Sequence, residues 1–206
     1  LQLLIIIDLV DKPRTINFIL LGIFLALAFL AKYAAIYFFI CLIFLFVEKR
    51  VRDIFLENLS GIFFFLLAFL IVVAPNIIWN INNGWVTFFH LAENASLEKT
   101  NINILNGLEF LLSQAIMIGP LIFLFFLFTF IRNFKFDFET RFLLCFSLPI
   151  LIIILLESVL VRANANWAAA SLVSFLILFI KEVYKTNKKI IIKKNFFNIF
   201  LGATLF

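Results

Sequence analysis

The sequence predicts an all-α, polytopic transmembrane helical bundle, and three observations carry that prediction. First, 65% of the 206 residues are hydrophobic and the mean hydropathy is +1.17, whereas a soluble domain is only about half apolar. Second, apolar runs recur near the length of a membrane helix, ~20 residues. Third, the basic residues fall in short clusters between those runs, where membrane proteins place their loop anchors. The net charge of +5 is therefore no nucleic-acid signal. No strand pattern or soluble-domain repeat appears, and Cys41 and Cys145, inside apolar runs, read as small core residues.

The chain opens on Leu1 within an apolar run, without Met, and stops at Phe206 within another. It thus reads as an internal piece of a longer protein, with partial helices at 1–10 and 196–206. Asp11-Lys12-Pro13-Arg14 ends the first. The apolar stretch from Ile16 to Val47 is too long for one crossing, and Lys32-Tyr33 divides it into halves at 16–31 and 33–47. A tight hairpin with Lys32 at its tip is expected, the alternative being one long tilted helix that buries Lys32. A charged loop at 48–57 precedes a span at 59–79 with Pro75 near its end. Residues 80–106 form an Asn-rich outer loop with the sole His. Further spans are expected at 107–131, 142–160 and 167–180, with a charged loop at 132–141 and a basic one at 181–195. Gly119-Pro120 marks a kink in the first of these.

If each run crosses once, fourteen of the 17 Lys and Arg residues fall on one side, and only Lys32, Lys99 and Arg162 on the other. The positive-inside rule puts the fourteen in the cytoplasm. A single crossing from Ile16 to Val47 would weaken that asymmetry, so the charge count favours the break at Lys32.

Four groups of polar residues then converge on the outer face. They are the tip Lys32-Tyr33, the segment Pro75 to Glu93, the start of the next helix with Gln114, and the link Arg162-Ala163-Asn164-Ala165-Asn166-Trp167. Each has a plain alternative: snorkelling for Lys32, an aromatic belt for Trp79, Trp85 and Trp167, a loop hydrogen bond for His90, an interhelical one for Gln114. One His without His or Cys partners makes no closed metal site, so no metal ligand is assigned. Taken together, two cations at the membrane edge suit a phosphate. Tyr33, Trp85, His90, Glu93, Gln114, Asn164, Asn166 and Trp167 suit sugar hydroxyls and ring faces. A lipid-phosphate-linked sugar has that layout.

The order Gly22…Leu27-Ala28-Phe29-Leu30-Ala31-Lys32-Tyr33-Ala34, Pro75-Asn76-Ile77-Ile78-Trp79-Asn80…Gly84-Trp85-Val86-Thr87-Phe88-Phe89-His90, Phe110…Gln114…Gly119-Pro120 and Ala163-Asn164-Ala165-Asn166-Trp167-Ala168 resembles bacterial members of glycosyltransferase family 39. These are GT-C-type enzymes related to dolichyl-phosphate-mannose protein mannosyltransferases and to the lipid A aminoarabinose transferase. The resemblance covers roughly residues 16–180. It implies inverting transfer of a sugar from a polyprenyl-phosphate donor, undecaprenyl phosphate in bacteria, to lipid A, a glycan or a protein. The active face would be periplasmic, in the inner membrane. The resemblance also implies that Lys32 and Arg162 contact the donor phosphate. The family's catalytic base lies in a first outer loop, expected before Leu1, so none is assigned. Some relatives bind a divalent metal, for which this sequence offers no recognisable ligands. The competing reading is a transporter or flippase for an envelope precursor. That would show inverted repeats and broken helices meeting at the midplane, whereas these polar residues gather at one face.

Overall fold

A computed structural model describes residues 1–94, 102–124, 137–161 and 163–189. Arg162, Lys99, residues 125–131 of the expected span 107–131 and the expected partial helix at 196–206 lie outside the described residues. The described residues are helical with no strand, as the hydropathy pattern predicts. Two compact units emerge, residues 1–95 and 96–206.

In the first unit, α1 (Gln2–Asp11) is followed by α2 (Thr15–Ala31), a 3₁₀ turn (Tyr33–Ile36) and α3 (Tyr37–Leu45). Then come α4 (Lys49–Glu57), α5 (Leu59–Asn82) and α6 (Val86–Asn94). Helix α2 buries Phe18, Leu21, Gly22, Leu25 and Ala26, the stripe that a 3.6-residue period puts on one face. That face packs on α5. A Cβ on Gly22 would lie 2.3 Å from the Phe65 carbonyl oxygen, and one on Gly61 would lie 2.5 Å from the Phe18 ring. Small residues at the contact let the two helices approach closely. Outward, α5 exposes Phe63, Leu66, Leu70, Ile71 and Ile78, as a helix facing lipid does.

The chain reverses at Lys32. The α2 helix stops there, with Lys32 extended at φ −156° and ψ 117°. Phe18 near the start of α2 and Phe46 just after α3 both contact the Phe55 ring, at 5.5 and 5.4 Å. A continuous helix would hold those two residues ~42 Å apart, so one long helix through Lys32 is ruled out. Both ends of the hairpin meet α4, where Arg50 pairs with Asp11 at 2.9 Å. The stretch expected as a charged loop at 48–57 is thus helical. Val51 and Phe55, one turn apart, give it a buried face, and Lys49, Arg50 and Arg52 stay exposed.

Where it is described, the expected outer loop 80–106 is also largely helical. Helix α5 runs on to Asn82, α6 occupies Val86–Asn94, and α7 begins at Ile104. The reason is a compact stop after α5. Gly84 takes the left-handed conformation (φ 66°), and the Trp85 N–H bonds the Asn80 carbonyl at 2.8 Å. This is the Schellman pattern that closes a helix without a loop.

In the second unit, α7 (Ile104–Ile118) packs on α9 (Leu148–Leu160), with Gly107 against Val159. Helix α8 (Phe138–Cys145) leads into α9, and α10 (Ala169–Lys189) follows a 3₁₀ turn at Ala165–Ala168. Pro149 sits in the first turn of α9, where its missing N–H has no helical partner to lose. The expected charged loop 132–141 gives way to helix from Phe138 because Asp137 caps it, accepting the Thr140 N–H at 3.0 Å. Likewise, the basic stretch from Lys181 continues α10 as far as Lys189. Three segments, Leu59–Asn82, Phe138–Leu160 and Ala165–Tyr184, are long and apolar enough to cross a membrane, in keeping with an integral membrane protein.

Candidate functional site

The hairpin tip of the first unit carries a polar network over an aromatic floor. Tyr33 follows the helix break and donates its hydroxyl to Asn76 Oδ1 at 3.0 Å. Asn80, one turn later on the same face of α5, donates Nδ2 to the Asn76 carbonyl at 2.9 Å and to Asn76 Oδ1 at 3.4 Å. Asn80 is fully buried, and its own Oδ1 finds no donor among the described residues. Leaving a buried acceptor unpaired costs ~1–3 kcal/mol, so the site keeps Asn80 against a stability penalty.

The aromatic part is continuous. Phe29 meets the Tyr33 ring edge-on at 4.8 Å, Phe88 stacks on Tyr33 at 5.7 Å, and Trp85 packs edge-on against Phe88 at 5.3 Å. Trp85 is the one non-glycine residue with positive φ (59°) among the described residues. Its carbonyl accepts the Phe88 and Phe89 N–H groups, so the strained residue also starts α6. Such strain costs ~1–3 kcal/mol and tends to persist where surrounding structure demands it. The Trp85 and Phe88 rings remain about 40% exposed, so this face can receive a ligand.

Of the residues singled out in the sequence, the structure brings Tyr33 and Trp85 onto one aromatic cluster, with Lys32 exposed beside Tyr33 at the break. His90 and Glu93 lie on α6 past Phe88, both exposed. The sequence alone gives Asn76 and Asn80 no individual role. Their signal is nonetheless there, because two Asn four residues apart inside an apolar helix share one face.

In the second unit, Gln114 is fully buried and donates Nε2 to the Ala165 carbonyl at 2.8 Å, while its Oε1 has no donor among the described residues. The Asn103 N–H at the start of α7 meets the Val159 carbonyl at 2.8 Å. The 3₁₀ turn therefore folds back alongside the latter half of α7 rather than continuing past the end of α9. Asn164 and Asn166 are exposed on that turn, and Trp167 is half-buried. The Gln114 amide thus makes the contact between elements that its place in a span suggests. Further along α10, Lys181 donates to Asp137, to Thr140 Oγ1 at 2.9 Å and to Glu139 at 3.4 Å. Partial burial pushes the Asp137 carboxyl up. Hydrogen bonds from Lys181 and Thr140 and the Lys181 charge outweigh it and hold the group well below the usual carboxylate range.

Among the described residues, no three His, Cys, Asp or Glu side chains gather to hold a metal ion. The divalent metal that the family resemblance raises finds no ligand set there.

Residues 1–79 match the family model described as dolichyl-phosphate-mannose-protein mannosyltransferase. Over 173 residues the sequence is 28% identical to the lipid A galacturonosyltransferase RgtD of Rhizobium johnstonii. That alignment takes in 81% of this chain and 35% of the relative, so the chain spans about a third of that relative's length. No solved structure matches significantly. Both matches bear out the resemblance to GT-C-type glycosyltransferases that the motif order carries.

Proposed function

We propose that this chain is the donor-binding part of a membrane glycosyltransferase. The enzyme moves a sugar from a polyprenyl-phosphate donor to an envelope acceptor, lipid A or another glycan, on the periplasmic side of the inner membrane. The observation that carries this reading is the hairpin tip. A cation, Lys32, stands at a helix break in otherwise apolar sequence, directly beside a hydroxyl–carboxamide network and exposed aromatic rings. A lipid-linked phosphosugar needs those three surfaces in that order. The matched family and the galacturonosyltransferase relative support the same class.

In this reading the lipid tail lies along apolar helices such as α5. Lys32 neutralises the phosphate, and the sequence resemblance gives Arg162 the same role. Charge grows on that phosphate as the bond from the sugar C1 to the phosphate oxygen breaks. A fixed cation there lowers the barrier because it needs no reorganisation during the reaction. Tyr33, Trp85, His90 and Glu93 contact the sugar or acceptor, and the residue types of Gln114, Asn164, Asn166 and Trp167 suit the same kind of contact. The basic clusters around α4 and α10 take the cytoplasmic side.

The test is transfer from a synthetic polyprenyl-phosphate sugar by the full-length protein and its Lys32→Ala variant. Transfer should fall roughly 10²–10³-fold, the usual effect of removing one charge-stabilising donor, and binding of the sugar-free polyprenyl phosphate should weaken. Unchanged transfer and binding would remove Lys32 from the site.

A further inference from the structure

The network at the hairpin tip has only one consistent set of proton positions, because each member forces the next. A backbone carbonyl can only accept, so the contact at 2.9 Å between the Asn76 carbonyl and the Asn80 side chain requires the Asn80 amide nitrogen there. With that nitrogen also facing the Asn76 side chain at 3.4 Å, the Asn76 atom must be its oxygen, since two NH₂ groups would repel. That oxygen, 3.0 Å from Tyr33 Oη, can only accept, so the Tyr33 hydroxyl proton must point at it. The hydroxyl has one proton to give. Towards any ligand, Tyr33 therefore offers lone pairs alone.

We propose that Asn76 and Asn80 are positioning residues that make Tyr33 an obligate hydrogen-bond acceptor, so that Tyr33 receives a hydroxyl or amino group of the sugar and not its phosphate. This rests on the lipid-linked-sugar reading above and adds which part of that molecule Tyr33 reads. A phosphate diester presents only acceptor oxygens, so Tyr33 has nothing to give it. Lys32, the adjacent residue, is donor-only. Two neighbouring side chains thus divide the ligand by hydrogen-bond polarity. The unpaired Oδ1 of buried Asn80 fits this account. Turning that amide over would set its oxygen against the Asn76 carbonyl, so Asn80 keeps the orientation that leaves Oδ1 without a donor.

Two measurements on the full-length protein test the proposal. The first needs no catalysis. The ultraviolet resonance Raman doublet of tyrosine distinguishes a donating hydroxyl from an accepting one. Subtracting the Tyr33→Phe spectrum isolates Tyr33 from every other tyrosine. The wild type should show a strong donor. Asn76→Leu should abolish that signature, Asn80→Leu should weaken it by freeing the Asn76 amide to turn, and Asn76→Asp should keep it. An accepting Tyr33 in the wild type, or no change in either Leu variant, overturns the proposal.

The second measurement uses a polyprenyl-phosphate hexose and its mono-deoxy analogues. One deoxy position should cost the wild type roughly tenfold or more in kcat/KM, since it leaves a buried-side acceptor unpaired, and should cost Tyr33→Phe almost nothing. Sugar-free polyprenyl phosphate should bind both proteins equally. Weaker binding of that probe by Tyr33→Phe means that Tyr33 serves the phosphate and sinks the assignment. If the wild type transfers none of these sugars, the transferase reading fails and takes the sugar assignment with it, while the Raman result still decides the proton positions.

Discussion

The Tyr33 hydroxyl reaches 3.0 Å to the Asn76 side-chain oxygen, tying the tip of one helical hairpin to the neighbouring long helix. The two residues are far apart in sequence, yet this bond fixes where the hairpin tip sits relative to α5. It also orients the ring on which Phe29 and Phe88 pack. Breaking it should cost stability as well as chemistry. Tyr33→Phe should lower unfolding stability by about 0.5–1.5 kcal/mol. Asn76→Leu should cost more, because it also removes an acceptor of Asn80. A double-mutant cycle by thermal unfolding in detergent should show coupling between the two; strict additivity would mean that the bond adds nothing to stability.

Gly22 should tolerate no side chain. Its Cβ position is 2.3 Å from the Phe65 backbone oxygen, and a backbone atom of a packed helix cannot swing aside. Gly22→Ala should force α2 and α5 apart and destabilise by roughly 1–3 kcal/mol, seen as a lower unfolding midpoint. By contrast, a Cβ on Gly84 meets nothing within 4 Å, so Gly84→Ala should cost only its left-handed backbone strain, about 1–2 kcal/mol.

Trp85 separates backbone from side chain in a single position. Its φ of 59° is unstrained only for glycine. Trp85→Gly should therefore unfold at a higher temperature than Trp85→Ala, by a difference of about 1–2 kcal/mol in stability. Both variants lose the ring, so both should lose sugar transfer to a similar degree. Equal stability of the two variants would mean that the turn relaxes once the indole is gone.

The pairing of Lys181 with Asp137 should make the second unit acid-sensitive. Asp137 holds its proton less tightly when folded than when unfolded, so folding favours the ionised form. That contribution is complete above the unfolded carboxylate value of about 3.9. It is lost as the pH falls below that value towards the lower folded one. Asp137→Asn should therefore lower the unfolding midpoint at neutral pH and narrow its difference from the wild type near pH ~2–3. A constant difference across that range would exclude Asp137 as the titrating group.

Hydropathy and charge alone determined that the chain is helical and membrane-embedded, because the energy of placing apolar runs in lipid depends on composition and length and hardly on tertiary detail. The same reasoning located the break at Lys32, since a charge between two apolar half-spans is costly anywhere but at a membrane edge. It could not see that Lys49–Glu57 and Val86–Asn94 are helices. Their stability comes from burying Val51 and Phe55 in one case and from the turn at Gly84 and Trp85 in the other. Nor could it see the role of Asn76 and Asn80. Each Asn in an apolar helix is legible as an oddity, but the direction of a hydrogen bond is decided by which partner lies opposite. Only the packing of α2 against α5 set Tyr33 opposite Asn76, and so turned a lysine–tyrosine pair read as a phosphate and sugar contact into two groups of opposite hydrogen-bond polarity.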